Sequence, residues 1–438
     1  MESPKVRMAL NPLHSKAVSL YGAATQHRWG RPGRSSLAAH INAHNKTAPT
    51  HPDQPYSEFI LSSQQPHQAV LEATPTVSLH DYIQSQVIEV DPNVIHFYRR
   101  LHSQGLPYTL RIVSVAYPQP LRVHPDAATC ESLAKELSFQ NPIGRPVMLV
   151  ALGQVDCLFG FQSFSSIAGE LLRVPEFMDA VGQTAAEQFV RRAKSSSVSQ
   201  THIVQLIMGL LQSENSASDC LSAAAARLRK MPKDTVTESD VCFMSLQQLY
   251  PDDPMCFAVY FLNRVKLKEG NAIFIHENEP YSILEGDFME ASTSSDAYVI
   301  GGLSNVTKHP IIFARCLSYD DSPIEISNGE RVSECGVSYV PPVPEFQLLD
   351  FKLPGGVSQQ MVETITPSVI LVLGGSGYIA LDAGTVLMPL RVGSLYYLSP
   401  QTPFLVTSRK GSLNPLRFVQ IGVNESAAPS RSSGCSVM

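Results

Sequence analysis

Two histidines stand at a spacing that could serve metal chemistry. His40 and His44 lie four residues apart in the segment from Ser35 to Asn45, which the sequence predicts to be a short helix. A spacing of four puts both imidazoles on one helix face, where they could share a cation. Metal sites use three or four ligands, and two histidines without a third ligand beside them are usually surface residues. We therefore reject a metal site at this pair.

The last four residues indicate a second kind of chemistry, lipid attachment. Cys435 begins the sequence Cys-Ser-Val-Met, which fits the C-a-a-X pattern, and a terminal methionine favours a farnesyl group. The preceding SAAPSRSSG is typical of an accessible tail. It offers one arginine and no second cysteine, so a single lipid would give only weak, reversible membrane contact. Prenylation at Cys435 and an unmodified tail are left equally open.

Composition and charge exclude several functional classes. The chain has 438 residues, of which 44% are hydrophobic and 16% charged, enough for two or three folded domains. Its formal net charge is −6, and no dense Lys/Arg segment could neutralise phosphates, which argues against nucleic acid as a partner. No apolar run approaches the roughly 18 residues of a membrane span, and the first residues lack the apolar core of a signal peptide. We expect a cytosolic protein.

The cysteines other than Cys435 carry no signature of their own. The chain has eight in all, with no Cys-x-x-Cys pair and no regular spacing. This pattern argues against a disulfide framework or a cysteine zinc site. We predict reduced thiols, seven of them in the core.

The predicted elements run in the order strands, helices, strands. Residues 108–115 alternate apolar and polar side chains before a proline-rich turn, and residues 147–161 repeat this character. Residues 163–249 are predicted to be helical, because apolar residues recur there at the spacing of one buried helix face. That face consists of Ile203, Leu206, Ile207, Leu210 and Leu211.

Short strands with glycine turns return after Tyr250 and again from Val340 onward. Runs such as SVILVLGGSGYIAL and LRFVQIG are separated by glycines at short intervals, which is typical of a β-sandwich or jelly roll. The sequence therefore predicts a mainly β fold, with two jelly-roll modules around a helical insertion.

Several sequence blocks carry a resemblance to a known family. Residues 250–287 resemble the type I phosphomannose isomerases, whose corresponding stretch ends in Asn-Glu-Pro-His and a Gly-Asp turn. The other blocks occur in family order over nearly the whole chain. They are 25–33 with Trp-Gly, 54–59, 106–126 leading into His-Pro-Asp, 145–152 at the family's Lys-Pro-Glu-Met, and 341–351.

The resemblance implies a fold and a division into domains. It implies two cupin-type jelly rolls with an α-helical domain between them. The expected domains are a cupin domain carrying the pocket from 17–162 and 250–330, a helical insertion from 163–249, a C-terminal cupin domain from 331–424, and a flexible tail from 425–438.

In that family a zinc ion, held by a Gln, two His and a Glu, polarises the sugar oxygens while a proton moves between C1 and C2. Mannose 6-phosphate and fructose 6-phosphate are thereby interconverted. In this sequence His124 matches the first family histidine, but the three other ligand positions are replaced. Arg122 stands at the glutamine, Val147 at the glutamate and Tyr281 at the second histidine. Because one imidazole does not retain zinc, we expect the ion to be lost.

The arginine adds an electrostatic objection to zinc. If the guanidinium of Arg122 pointed inward as the glutamine does, a unit charge about 4 Å from a dication would cost roughly 8 kcal/mol at an effective dielectric of about 20. Either the arginine turns away or the metal is absent.

Other pocket positions of the family are changed as well. An active-site arginine corresponds to Ile300, a lysine to Val306 and a serine near the sugar phosphate to Pro120. Glu290 and Asp296 match acidic family positions and are the candidate catalytic base and its helper. The alternative is that both are ordinary solvated carboxylates.

Two arginines are the candidate substrate-binding groups. Arg145 keeps the charge of the family's lysine, and together with Arg122 it could bind a phosphate through paired guanidinium contacts. Hexose phosphate is the ligand that this interpretation implies. Equally open is that Arg122 pairs with Glu290 or Asp296 and fills the old metal cavity.

The resemblance thus predicts a protein of the phosphomannose isomerase family, placed in carbohydrate metabolism, with little or no isomerase activity. Sugar-phosphate binding or a regulatory role would remain. The rival prediction is an active mannose-6-phosphate isomerase with a rearranged metal site. In that case His276 or Glu277, expected at the same strand end as Tyr281, would replace a lost ligand.

Overall fold

A computed structural model describes residues 16–45, 49–85, 105–195, 197–212 and 214–427. Strands dominate both ends of this described chain. They are β1 Ala17–Tyr21, β2 Ala23–Thr25, β3 Arg31–Pro32, β4 Pro55–Tyr56, β5 Glu58–Leu61, β6 Val70–Leu71, β7 Tyr108–Val115, β8 Leu121–Val123, β9 Val147–Phe161, β10 Leu262–Leu267, β11 Ala272–Ile275, β12 Tyr281–Thr293, β13 Val299–Gly302, β14 Glu330–Arg331, β15 Gly336–Tyr339, β16 Gln347–Leu353, β17 Ser358–Gln360, β18 Ser368–Gly374, β19 Ser376–Leu381, β20 Val386–Arg391, β21 Leu395–Leu398, β22 Phe404–Ser408 and β23 Leu416–Gly422.

Helices concentrate in the middle of the chain. They are α1 Leu37–Asn45, α2 Leu79–Ser85, α3 Ala127–Leu137, α4 Phe164–Arg173, α5 Pro175–Val181, α6 Gln183–Lys194, α7 Gln200–Gln212, α8 Glu214–Lys230, α9 Glu238–Leu249 and α10 Pro310–Cys316. A 3₁₀ segment, Pro254–Tyr260, follows α9. None of the described residues forms a helix that is long and apolar enough to cross a membrane.

The strongest sequence patterns are confirmed. Strands β7 and β9 have the predicted bounds, and α1 begins two residues after the predicted start. The five apolar side chains predicted to form one face of α7 are the ones that it buries. The prediction of a mainly β chain with a helical insertion is therefore correct. It succeeds because the face that meets the core sets an apolar period of 2 in strands and 3.6 in helices.

Contacts divide the chain into two compact units. The first comprises residues up to Ser114, Met289–Ser294 and the chain from Asn328 onward, and the second comprises Val115–Phe288 and Ser295–Ser327. Strand β12 supplies residues to both. The division into two cupin domains and a helical domain remains a prediction.

In the first unit, antiparallel strands form two sheets around a shared core. One sheet has the order β14-β15-β16-β23-β18-β21-β1-β6 and the other β17-β22-β19-β20. Phe351 and Phe418 of the larger sheet pack in one apolar cluster with Ile379 and Phe404 of the smaller sheet. This face-to-face packing of short strands is the sandwich that the glycine-punctuated sequence predicts.

In the second unit, strands carry the helical segment. The long strand β9 pairs antiparallel with β10 and β11, while β8 pairs with β12 and β13. Helices α5 and α9 bury Phe177 and Phe243 against the 3₁₀ segment, where each of these rings contacts both Phe257 and Tyr260. One apolar core thus joins helices and strands within this unit.

The seven described cysteines are free thiols, as predicted. Five of them are buried: Cys130, Cys157, Cys242, Cys256 and Cys316. Cys220 and Cys335, also predicted to lie in the core, are only partly buried. Burial raises the pKa of Cys130 and of Cys157 to about 12, which keeps both protonated at neutral pH. Their role is packing.

A buried ion pair anchors the helical segment. Asp240 is fully buried and receives two hydrogen bonds of 2.9 Å from the guanidinium of Arg173, one from the hydroxyl of Tyr260 and one from the backbone N–H of Thr237. Burial alone would raise the pKa of Asp240, but these donors outweigh it and hold the pKa below its usual value.

Replacing Asp240 by Ala should destabilise the protein by about 2–4 kcal/mol, because Arg173, Tyr260 and Thr237 would lose a buried charged acceptor while Arg173 keeps its ion pair with Glu170. Urea unfolding measures this change, and Asp234→Ala, at an exposed position of the same segment, should stay within about 0.5 kcal/mol of wild type. Since the folded pKa of Asp240 is lowered, its contribution is present above its unfolded pKa and is lost as pH falls through the folded value. Equal free energies of unfolding for Asp240→Ala and Asp234→Ala would contradict this role.

Candidate functional site

Strand β8 brings three of the altered family positions together in the second unit. Arg122 is the cross-strand partner of Tyr281 in β12 and of Ile300 in β13. His124 follows β8 directly. The side chains at the lost glutamine, the lost second histidine and the lost arginine are therefore neighbours around the surviving histidine position.

His124 has both ring nitrogens engaged. Its Nδ1 lies 2.9 Å from the carbonyl oxygen of Ala297, and its Nε2 lies 2.8 Å from the hydroxyl of Tyr281. A carbonyl can only accept, so Nδ1 carries the proton, and Nε2 of the neutral ring accepts from the phenol. Because His124 and Tyr281 are each only 1% exposed, this is a dry hydrogen bond. The lone pair that would bind a metal is used by tyrosine.

Arg122 lies against the same tyrosine. Its guanidinium carbon is 5.1 Å from the centroid of the Tyr281 ring, and its Nη2 donates to the side-chain oxygen of Gln119. A guanidinium over an aromatic face is attracted by the negative face of the ring. The arginine therefore puts a fixed positive charge next to the altered ligand positions.

Asn278 joins the two family motifs. Its backbone N–H donates to the carbonyl of His124 at 2.7 Å, and its side chain exchanges hydrogen bonds with Asp126. Asn278 takes a left-handed conformation with φ 66°, which asparagine tolerates better than most residues. The hydrogen bonds from Asn278 and from the backbone N–H of Thr129 lower the pKa of Asp126, which also caps α3. This contact fixes the carbonyl end of His124.

The remaining predicted positions lie on or before β9 and after β11. Val147 is fully buried and pairs with Ile275, and Arg145 is also buried. The expectation that His276 and Glu277 share the strand end of Tyr281 is wrong. Both residues follow β11, whereas Tyr281 begins β12, because the turn at Asn278 separates the strands.

Neither alternative ligand is presented as expected. The His276 side chain is exposed and packs edge-on against Phe274 at 4.7 Å between ring centroids. The Glu277 carboxylate lies over Gly144, where an added Cβ would be 1.5 Å from its Oε1. A side chain at position 144 would therefore force this carboxylate to move.

These donors do not fit zinc. Of the four family ligand positions, one holds a histidine whose Nε2 accepts a phenol proton, one a guanidinium, one a valine and one a phenol. Zinc prefers thiolate, neutral imidazole and carboxylate ligands. Across the described ranges, no three His, Cys, Asp or Glu side chains come together as a metal-ligand group.

Glu290 belongs to a buried charged cluster in the first unit. It is 4% exposed, so the interpretation as a solvated carboxylate is wrong for this residue. Arg111 donates to Glu290 at 2.9 Å and to the hydroxyl of Ser292 at 3.3 Å, and its Nε lies 3.8 Å from a carboxylate oxygen of Glu58. One guanidinium therefore lies between two carboxylates.

Two histidines lie beside this cluster. Nε2 of His27 is 3.7 Å from Glu58, and the His27 ring stacks on Trp29 with centroids 5.4 Å apart. Burial lowers the pKa of His67, with the nearby charge of Arg111 acting in the same direction against that of Glu58. Sequence reasoning missed Glu58, Arg111 and both histidines, since residues up to 179 positions apart share no local pattern.

Asp296 has a structural role in the second unit. Its two carboxylate oxygens accept the backbone N–H groups of Gln140 and Asn141 at 2.8 and 2.9 Å. It therefore holds the loop after α3. The structure does not pair it with Glu290 in one unit.

The other sequence predictions have mixed outcomes. His40 and His44 are exposed, with rings 5.1 Å apart on α1, as expected of surface residues. Ile300 is buried and Val306 is exposed. Cys435 lies outside the described residues, so its lipidation remains a prediction.

Comparison with known proteins supports the resemblance that the sequence blocks carry. Residues 18–164 match the description "Phosphomannose isomerase type I, catalytic domain". Mannose-6-phosphate isomerase 1 of Arabidopsis thaliana is 25% identical over 404 residues, covering 90% of this chain and 91% of its own, and the Bos taurus enzyme is 26% identical over 388 residues, covering 85% and 91%. The chain is therefore similar to the type I phosphomannose isomerases over most of its length.

Solved structures confirm the fold. Mannose 6-phosphate isomerase of Salmonella typhimurium, bound to its substrate fructose 6-phosphate and to zinc, superposes with a TM-score of 0.75 at 18% identity. The match covers 93% of this chain and all of that one. The apo form from the same organism gives a TM-score of 0.74. The predicted cupin-type, mainly β fold is therefore correct.

Replacing Asn278 by Ala should destabilise the protein by about 2 kcal/mol, because two side-chain hydrogen bonds are lost and alanine is strained at positive φ. Asn278→Gly should cost roughly half as much, since glycine adopts this conformation freely. Denaturant unfolding of both variants measures the difference. If glycine proved as costly as alanine, backbone strain would have no part in the effect.

Replacing Arg111 by Met should destabilise the protein by about 3–5 kcal/mol, because the buried carboxylate of Glu290 would lose its counter-charge. Adding Glu290→Gln should recover part of this loss. Unfolding in urea compares the single and double variants with Arg34→Met, whose exposed pair with Asp53 should contribute less than about 1 kcal/mol. No recovery in the double variant would argue against the pairing.

Proposed function

We propose that this protein is a catalytically impaired member of the phosphomannose isomerase family that still binds hexose phosphate. One observation carries the proposal: the Nε2 lone pair of His124 accepts the phenol of Tyr281. The family's chemistry needs a Lewis acid to polarise the sugar oxygens, and the only family ligand kept here is committed to another partner. Zinc is therefore proposed not to be retained.

The acid and base candidates support the same proposal. Glu290 is the candidate base, but its carboxylate accepts a hydrogen bond of 2.9 Å from Arg111, which holds it in an ion pair. Asp296, its candidate helper, is engaged with two backbone N–H groups of a loop. A base without an electrophile to stabilise the developing charge contributes little to enolisation.

Hexose phosphate remains the proposed ligand for two reasons. The Salmonella typhimurium relative is described with fructose 6-phosphate bound, and its fold extends over 93% of this chain. Arg145 also keeps a cation at the family's lysine position and is buried, where a guanidinium contact with a phosphate would be weakly screened. Arg122, stacked on Tyr281, is the second proposed phosphate contact.

The alternative is an active isomerase with a rearranged metal site. It would need His276 or Glu277 to join His124. Both residues follow β11 and do not share a strand end with Tyr281, which weakens the case for this alternative. We further propose a cytosolic protein, with weak membrane contact if Cys435 carries a lipid.

A coupled assay for fructose 6-phosphate formation tests this function. The turnover rate with mannose 6-phosphate should lie at least about 1,000-fold below that of a zinc-bound family isomerase, with or without added zinc. The reason is that Lewis-acid stabilisation supplies several kcal/mol. Elemental analysis of the same sample should find no stoichiometric zinc. Turnover that chelator abolishes, together with one zinc per chain, would establish the alternative.

Calorimetric titration with fructose 6-phosphate tests the ligand. Binding should be measurable with the full chain and should weaken at least about tenfold in Arg145→Met, because a charged hydrogen bond to phosphate is lost. Arg191→Met, which removes an exposed arginine of α6, is the matched control. Absence of binding in the wild type would reduce the protein to an interaction module.

A further inference from the structure

We infer that Arg122, His124 and Tyr281 form a metal-independent clamp between β8 and β12. The inference rests on the proposed loss of zinc. It adds that the replacements are adapted to one another and perform the structural task that a shared metal ion would perform, holding the site ends of two strands together.

Strand register places the three side chains on one face. Side chains two residues apart in a strand point to the same side, so Arg122 and His124 share a face of the β8 segment. Tyr281 is the direct cross-strand partner of Arg122, and such partners face the same side. Their contacts therefore follow from neighbouring positions, with His124 diagonal to Tyr281.

Within this cluster, the Tyr281 side chain has one partner for its oxygen and another for its ring. The Tyr281 hydroxyl donates to Nε2 of His124 at 2.8 Å, and the Tyr281 ring receives the guanidinium of Arg122 on its face. The clamp extends beyond the pair of strands, because Nδ1 of His124 donates to Ala297 just before β13. One phenol thus serves a hydrogen bond through its oxygen and a cation–π contact through its ring.

This double use makes single reversions unproductive. Tyr281→His alone would return an imidazole beside a guanidinium, and Arg122→Gln alone would leave the phenol on His124. Zinc uptake therefore requires the positions to change together, including Val147, whose alkyl side chain donates nothing. The clamp therefore predicts that single variants take up no zinc and that uptake appears only when the positions change together.

Thermal unfolding of full-length variants tests the clamp without any substrate. Tyr281→Phe removes only the hydroxyl and should lower Tm by about 3–8 °C, because Nε2 of His124 loses its buried partner. Arg122→Met should lower Tm in the wild type and by a similar amount in Tyr281→Phe, which keeps the ring. In Tyr281→Leu it should lower Tm by clearly less, because the ring contact is already gone and the hydrogen bond to Gln119 is among the contacts still lost. Exposed Tyr298→Phe is the matched control. Equal effects of Arg122→Met in all three backgrounds would overturn the inference.

Zinc titration followed by dialysis and elemental analysis supplies the second test. The wild type and the single variants Arg122→Gln and Tyr281→His should retain no stoichiometric zinc. The triple variant Arg122→Gln, Val147→Glu, Tyr281→His should retain one zinc per chain, with a Tm that falls when chelator is added. The double variant without Val147→Glu, which keeps more of the native core, should bind zinc measurably more weakly than the triple.

The outcomes separate the clamp from the proposed function. One zinc in the wild type would overturn both, whereas measurable isomerase activity without zinc would overturn only the proposed function. A folded triple variant that takes up no zinc, as judged by circular dichroism and metal analysis, would overturn the clamp alone. If the triple variant does not fold, the Tm series with Tyr281→Phe and Tyr281→Leu decides the inference.

Discussion

The hydrogen bond between Tyr281 and His124 is the contact on which the altered site depends. Both residues are buried, and the bond engages Nε2 of His124, the only one of the four family ligand positions that keeps its residue. Because the other nitrogen donates to Ala297, the imidazole links β12 to the segment before β13 in a single tautomer. A metal would have to displace the phenol and accept the guanidinium of Arg122 as a neighbour. In this structure the Tyr281 hydroxyl lies at the position beside Nε2 that a metal would need.

The buried cluster of the first unit follows a different logic. Arg111 pairs with both Glu290 and Glu58, so its positive charge is shared between two carboxylates. His27 lies near Glu58, and the charges of Glu58 and Arg111 both act on His67. A buried carboxylate needs such a counter-charge to remain ionised and stable. The pairing with Arg111 therefore accounts for the buried carboxylate of Glu290 without a catalytic role.

The sequence predicted the elements that bury one regular face, and it predicted the altered ligand positions. Strands β7 and β9 and the apolar face of α7 follow from periodicity alone, since the core decides which side chains alternate. The partners of Arg122 and Arg111 could not be predicted in this way. Glu290 lies 179 residues from Arg111, and only strand pairing brings them together. The register of β11 and β12 was misjudged for His276 because the positive φ of Asn278 is invisible in an apolar pattern.

The alternation of β8 explains how the site can change while the fold persists. Leu121 and Val123 are fully buried and belong to the apolar core shared with the helices, whereas Arg122 lies between them on the opposite side. The core side holds the strand in place by burial of apolar area, a term that does not depend on a metal. The other side is then free to exchange ligands for mutually compatible side chains, provided that each new polar group finds a partner. Arg122 and Tyr281 contact each other and bind Gln119 and His124 in turn, so we interpret the two replacements as one adaptation.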